Sequence, residues 1–147
     1  MCFMLYAGTD KPFAQREWDK DLPLDLGVCS LRGDEELVRP NFSKPEVQNI
    51  GSDTGCGCGF PSIMVDKAGE WPWWDGCLEG DQIESERMNR EALVCLLRTS
   101  GETSVELYGI WYNKCAEKPL AAEAISLDQI LNTPFRFKEQ VFYRVSL

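Results

Sequence analysis

The sequence predicts a single domain of the α+β class, with a mostly antiparallel sheet, one long amphipathic helix and short helices. Segments typical of strands and helices do not alternate regularly along the 147 residues, which argues against repeated parallel β–α–β units. The strongest helix pattern covers about 81–99, and the clearest strand pattern covers 104–113. The length suits one hydrophobic core, so we expect residues 1–147 to form one globular domain.

The first third of the chain predicts short strands separated by turns. Residues 3–8 and 28–32 have the composition of strands. The acidic residues 34–36 predict one or two helical turns that end before Pro40, because a residue that precedes proline avoids the helical conformation. Residues 47–52 are expected to be extended and to lead into a segment rich in glycine and cysteine.

The helix predicted at about 81–99 has clear start and stop signals. Acidic residues lie in its first turn, Arg98 lies in its last turn and Gly101 follows, which suits the helix dipole and a glycine stop. Glu86 and Arg90 are spaced to pair on the solvent-exposed face. Helical spacing predicts a buried stripe formed by Ile83, Met88, Ala92, Cys95 and Leu96.

The last third of the chain predicts a central strand, a short helix and a final strand. Apolar residues fall on both faces of 104–113, which indicates a central position in the sheet. The predicted faces are Val105, Leu107 and Trp111 on one side and Tyr108, Ile110 and Tyr112 on the other. Ser126 with Gln129 forms a capping-box pattern for a helix over 127–131, and residues 140–147 return as a strand.

Charge and composition exclude several functions. Lysine and arginine number 15 against 24 acidic residues, and the net charge of −9 is not offset by any basic cluster. Nucleic acids and anionic membrane surfaces are therefore not expected as partners, because both require a basic patch. The chain has no apolar run long enough to span a bilayer and no basic leader, so we expect a cytoplasmic protein with an unidentified protein or small-molecule partner.

The absence of histidine restricts the possible chemistry. The chain has 7 cysteines and no histidine, so imidazole can serve neither as a metal ligand nor as a catalytic base. An odd number of cysteines without an export signal predicts reduced thiols rather than a disulfide framework.

Reactive groups are concentrated in the segment Thr54-Gly55-Cys56-Gly57-Cys58-Gly59-Phe60. Two thiols lie two residues apart and each is flanked by glycines. If the segment were a strand, both thiols would point to the same face; if the glycines adopt left-handed conformations, it would be a tight loop. The sequence leaves the choice between strand and loop open.

Four interpretations of Cys56 and Cys58 remain open. They are a metal site, a redox or nucleophilic thiol pair, an anion-binding nest of glycine amides, and simple packing in the core. A zinc site would need two more ligands, from a carboxylate or from Cys2, Cys29, Cys77 or Cys115. For thiol chemistry, residues 51–60 contain no lysine or arginine, and Asp53 would raise a thiol pKa.

Cys2 is a further candidate. Removal of Met1 would expose a terminal amine beside a thiol, as in N-terminal nucleophile hydrolases, although the alternation of Cys2, Met4 and Tyr6 also suits a plain first strand. The candidate catalytic residues are therefore Cys56, Cys58 and Cys2, and the same three are the candidate ligands for a metal; the cofactor is unknown, with zinc as one candidate.

The tryptophan-rich segment 71–76 supports an alternative function. Three clustered tryptophans could form a recognition surface of a non-enzymatic interaction domain, with the cysteines serving only in packing. The same tryptophans could instead cover the core.

Four segments of the chain resemble one group of proteins. They are the opening Met-Cys-x-x-Leu-Tyr, Phe42-Ser43-Lys44-Pro45, Gly51-Ser52-x-Thr54-Gly55-Cys56-Gly57-Cys58-Gly59-Phe60 and Val105-Glu106-Leu107-Tyr108. Together they resemble a family of small bacterial proteins with no known function. The resemblance spans most of the chain and implies a bacterial protein, but it implies no activity and assigns no catalytic residue.

Overall fold

A six-stranded sheet forms the centre of the structure, a computed structural model that describes residues 2–22, 26–63, 80–132 and 134–147. The strands are β1 (Phe3–Thr9), β2 (Gly27–Ser30), β3 (Glu46–Gly51), β4 (Ser62–Ile63), β5 (Ser104–Trp111), β6 (Ala121–Ser126), β7 (Phe137–Lys138) and β8 (Val141–Ser146). The order in the large sheet is β2-β3-β1-β5-β8-β6, and β4 pairs with β7 separately. Every pair in the large sheet is antiparallel except β6–β8, so the predicted α+β class with a mostly antiparallel sheet is confirmed.

In the described part of the chain, two α-helices accompany the sheet, α1 (Gly80–Arg98) and α2 (Leu127–Leu131). The capping box predicted for α2 is present, with the Ser126 hydroxyl accepting from the N–H of Gln129 and the Gln129 amide oxygen accepting from the N–H of Ser126. Within the described residues, no helix is both long and apolar enough to cross a membrane.

The described residues also form 3₁₀ helices at Gly33–Asn41, Gly57–Gly59 and Tyr112–Lys114. The expectation that the first of these would end before Pro40 is wrong, because the helix continues through Pro40. Proline removes one N–H donor, but the last turn is closed instead by the N–H of Phe42, which donates to the carbonyl of Arg39 at 3.1 Å.

The buried face of α1 differs from the predicted stripe. Cys95 and Ile83 are exposed, and Met88, Ala92 and Leu96 are only half-buried. The fully buried positions are Asn89, Arg90, Leu93, Val94 and Leu97. The predicted pair of Arg90 and Glu86 is present at 3.6 Å, but Arg90 is buried and donates to the backbone carbonyls of Ile130 and Asn132. Polar residues can face inward here because they form hydrogen bonds with residues that are distant along the chain. The spacing of hydrophobic residues does not reveal such bonds.

Both faces of the sheet are buried, as the pattern of β5 predicted. Val105 and Leu107 pack in a core with residues of α1 and α2, while Tyr108 and Ile110 pack in a second core on the opposite face. β5 lies between β1 and β8, so its predicted central position is also confirmed.

Candidate metal centre

The pairing of β1 with β3 brings the three candidate cysteines together. Leu5 lies opposite Ile50 in this antiparallel pair, so the chain that leaves β3 passes beside the start of β1, next to Cys2. The sulfur atoms of Cys2, Cys56 and Cys58 all lie within 4.8 Å of one another. Neighbouring sulfurs bound to one tetrahedral zinc ion at about 2.3 Å lie about 3.8 Å apart. The three thiols therefore need to move by only about an ångström to share an ion.

The segment that carries Cys56 and Cys58 is a loop with a 3₁₀ turn at Gly57–Gly59, which answers the question that the sequence left open. Ser52, fully buried, closes this loop. The N–H and the hydroxyl of Ser52 both donate to the carbonyl of Cys56, at 2.7 and 2.6 Å, and its oxygen accepts from the N–H of Gly59 at 3.0 Å. These bonds hold both thiols on one compact turn.

Two of the glycines are required by close contacts. A side-chain carbon at Gly57 would lie 2.8 Å from the carbonyl oxygen of Phe3 and 3.0 Å from the nitrogen of Leu5, so the turn rests directly on the backbone of β1. Gly55 has a φ of +80°, and a side chain there would meet the ring of Trp18 at 2.9 Å. The glycines therefore serve the approach of the turn to β1 and to Trp18.

Asp53 connects the cysteine loop to α1. Its carboxylate accepts from the hydroxyl of Ser85 at 2.7 Å and from the amide of Asn89 at 2.8 Å, while its backbone N–H donates to the Asn89 side-chain oxygen at 3.0 Å. The indole N–H of Trp18 donates to the Asp53 carbonyl at 3.0 Å. The loop is thus held by β1, by α1 and by Trp18.

Backbone contacts also fix the start of β1. The N–H of Phe3 donates to the sulfur of Cys58 at 3.2 Å, and the N–H of Tyr112 donates to the carbonyl of Cys2 at 3.0 Å. Cys2 is thereby held against the end of β5, and Cys58 against β1.

The surroundings of the three thiols shift the pKa values of Cys56 and Cys58 in opposite directions. Burial acts to raise the pKa of Cys56, but hydrogen bonds with the Thr54 hydroxyl and the Cys58 N–H, each at 3.5 Å, and with the Cys58 and Cys2 thiols together outweigh it and lower that pKa. Burial, together with the neighbouring Cys56 thiol, raises the pKa of Cys58 to about 11. The sequence suggested no nearby group that could lower a thiol pKa; the structure supplies uncharged hydrogen-bond donors for this purpose.

The site is accessible from outside. Cys2 and Cys58 are exposed and Cys56 is half-buried. An open cavity of about 530 Å³ is lined by Cys2, Cys56, Met4, Tyr112 and Asn113.

The other proposed ligands do not join this cluster. Cys29 lies on β2, and Cys115 is buried in the opposite core, where its thiol donates to the Tyr112 carbonyl at 3.0 Å. Over the parts of the chain that the structure describes, no carboxylate joins the three sulfurs. Cys77 and the tryptophan-rich segment 71–76 lie outside the described residues.

Several supporting residues were not singled out from the sequence. Ser52 lies close to Cys56 along the chain but carries no distinctive pattern, Asn89 reaches the loop from α1, and Tyr112 comes beside Cys2 through the pairing of β1 with β5. Thr54 was the exception that a pattern could have revealed, since it lies two residues before Cys56 and its hydroxyl can reach that sulfur.

Comparison with known proteins gives no match to this chain, whether with protein-family models, with curated proteins or with solved structures.

Proposed function

We propose that Cys2, Cys56 and Cys58 bind one thiophilic metal ion, with zinc as the physiological candidate. The observation that carries this proposal is the convergence of three sulfurs within 4.8 Å, supplied by two segments that are distant along the chain. Three thiolates suit zinc in charge and in softness, and the chain contains no histidine that could serve instead. A reducing compartment such as the cytoplasm would keep these thiols free to bind the ion.

Binding must displace the thiol protons. A thiol coordinates a metal as the thiolate, so zinc binding releases protons and strengthens as the pH rises. Cys56, with its lowered pKa, is the first of the pair to become available, and the ion's own charge favours ionisation of Cys58.

The test is metal stoichiometry after anaerobic reduction and loading with zinc. We expect one zinc per chain in the native protein, and loss of that zinc in the double variant Cys56→Ser, Cys58→Ser and in Cys2→Ser. The exposed Cys95, remote from the site on α1, provides the matched control, and Cys95→Ser should retain the ion. Absence of stoichiometric metal, or equal zinc content in all these proteins, would refute the proposal.

A second candidate function is thiol chemistry centred on Cys56. The specific observation in its favour is the pair of hydrogen bonds that Thr54 and the Cys58 N–H offer to the Cys56 sulfur, beside a Cys58 thiol that stays protonated. A thiolate next to a neutral thiol is the arrangement in which one sulfur attacks and the other resolves the product.

Alkylation of the metal-free protein with iodoacetamide distinguishes the two functions. Thiol chemistry predicts that Cys56 is modified faster than the exposed Cys95, and that Thr54→Val slows the modification of Cys56. If zinc binds and protects all three thiols from alkylation, the metal site is the better description. Equal rates at Cys56 and Cys95 would remove the second candidate.

A further inference from the structure

The cavity beside the three sulfurs is open, and none of the described residues that line it is charged. It has a volume of about 530 Å³, and the residues that line it besides the thiols are Met4, Tyr112 and Asn113. Met4 is half-buried, whereas Tyr112 and Asn113 are exposed. Two of the three cysteines, Cys2 and Cys56, belong to the wall of this cavity. A molecule in the cavity would therefore lie next to an ion held by the cysteines.

The cysteines leave one coordination position to be filled. Zinc prefers four ligands, and a site with three protein ligands keeps its fourth position for water or for a substrate. Across residues 2–22, 26–63, 80–132 and 134–147, no other cysteine or carboxylate lies within the same reach of the three sulfurs. Among the described residues, nothing occupies the fourth position, and a molecule from outside the chain could fill it.

The chemistry of the site selects the kind of molecule. Three thiolates around a divalent zinc ion leave a net charge of −1, which disfavours a further negative charge on the body of the ligand and weakens the ion's pull on hard oxygen donors. A thiol matches the softness of the site and contributes a single coordinating atom. The thioether of Met4 and the ring of Tyr112 offer apolar surface to the rest of such a molecule.

We propose that the fourth position takes the sulfur of a small external thiol whose uncharged, apolar body lies in this cavity. This inference rests on the metal site proposed above. The incoming thiol loses its proton to water, and its sulfur lone pair forms a bond to the ion and displaces a bound water molecule. No atom changes its oxidation state, so no further reactant is required.

The test uses cobalt(II) as a coloured substitute for zinc, in a protein that carries Cys77→Ser so that this thiol cannot act as a ligand. The probes are ethanethiol, 1-butanethiol and the charged 2-mercaptoethanesulfonate, titrated against the sulfur-to-cobalt charge-transfer absorption. We expect each thiol that binds to increase this absorption. Affinity should rise about two- to fourfold per added methylene from ethanethiol to 1-butanethiol, and the sulfonate should bind most weakly.

Two variants of the cavity wall provide the matched comparison. Tyr112→Ala should remove much of the preference for the longer thiol, whereas Asn113→Leu should increase that preference. Position 112 holds Cys2 through its backbone N–H, which alanine keeps, so both variants should still bind cobalt. Their circular dichroism spectra verify that they fold. An absorption that no probe changes, or equal affinities for all three probes, would overturn this inference while leaving the metal site intact. Failure to bind cobalt at the three cysteines would instead refute the metal site itself.

Discussion

Replacing Gly57 by alanine tests whether the cysteine turn is held directly against β1. The added carbon would lie 2.8 Å from the Phe3 carbonyl and 3.0 Å from the Leu5 nitrogen, whereas ordinary contacts of this kind begin at 3.4 Å. Both neighbours are backbone atoms of a central strand, so the turn itself must move, by roughly half an ångström. Gly57 has no positive φ, so alanine introduces a steric clash without backbone strain.

The size of the effect follows from this clash. Overpacking of a closely packed site costs about 1–3 kcal/mol of unfolding free energy. The same movement lengthens the contact between the Phe3 N–H and the Cys58 sulfur, now 3.2 Å, and draws Cys58 away from Cys2. Structural zinc sites with four ligands bind with about 10–16 kcal/mol, so weakening one thiolate should reduce the zinc affinity by up to about 100-fold.

Urea unfolding of the metal-free protein measures the first effect, and zinc competition with a coloured chelator measures the second. Gly80→Ala is the control, because a side chain at this first residue of α1 would meet no described atom within 4 Å. We expect the control to change the unfolding free energy by less than about 0.5 kcal/mol. A Gly57→Ala protein with the stability and zinc affinity of the native chain would refute the contact between the turn and β1.

Two further predictions concern stability. Ser52→Ala should lower the unfolding free energy by about 1–3 kcal/mol, because it loses the hydrogen bonds that close the cysteine loop. Ser126→Ala should lower it by about 1 kcal/mol, because it loses a helix cap. Only Ser52→Ala should also weaken zinc binding in the chelator assay; equal zinc affinities in the two variants would contradict the role given to Ser52. The second prediction concerns alkaline pH, where burial raises the pKa of three fully buried phenols, those of Tyr6, Tyr108 and Tyr143. Tyrosines of the unfolded chain ionise near pH 10, while the buried ones in the folded protein stay neutral. The contribution of these tyrosines to the unfolding free energy is therefore fully present below that pH, and the unfolding free energy should fall above it by up to about 4 kcal/mol per pH unit. A urea midpoint that stays constant between about pH 9 and about pH 11 would contradict this.

The sequence predicted the elements whose signals are local. The alternation in β5 and the capping box at Ser126 are complete within a few residues, and both appear in the structure as expected. The buried face of α1 was predicted wrongly because Asn89 and Arg90 are buried by hydrogen bonds to distant parts of the chain. The edge strand β6 was not predicted, since its exposed, alanine-rich residues carry only a weak strand pattern.

The three cysteines of the candidate site were all named from the sequence, but their geometry could not be predicted for the same reason. The position of Cys2 beside Cys56 and Cys58 depends on the register of β1 with β3, which no local pattern encodes. The separation of the pKa values of Cys56 and Cys58 also depends on single hydrogen-bond distances around the turn.

Cys2 and Cys56 are far apart along the chain, so an ion bound to both would also affect folding. An ion that binds both thiolates would close a loop of the chain that contains β1, β2 and β3, much as a disulfide would. Closing a ring of this length lowers the conformational entropy of the unfolded chain, which stabilises the folded state by about 4 kcal/mol. The ion would therefore act as a reversible cross-link, and the stability of the part of the sheet formed by β1, β2 and β3 would increase with the concentration of free metal.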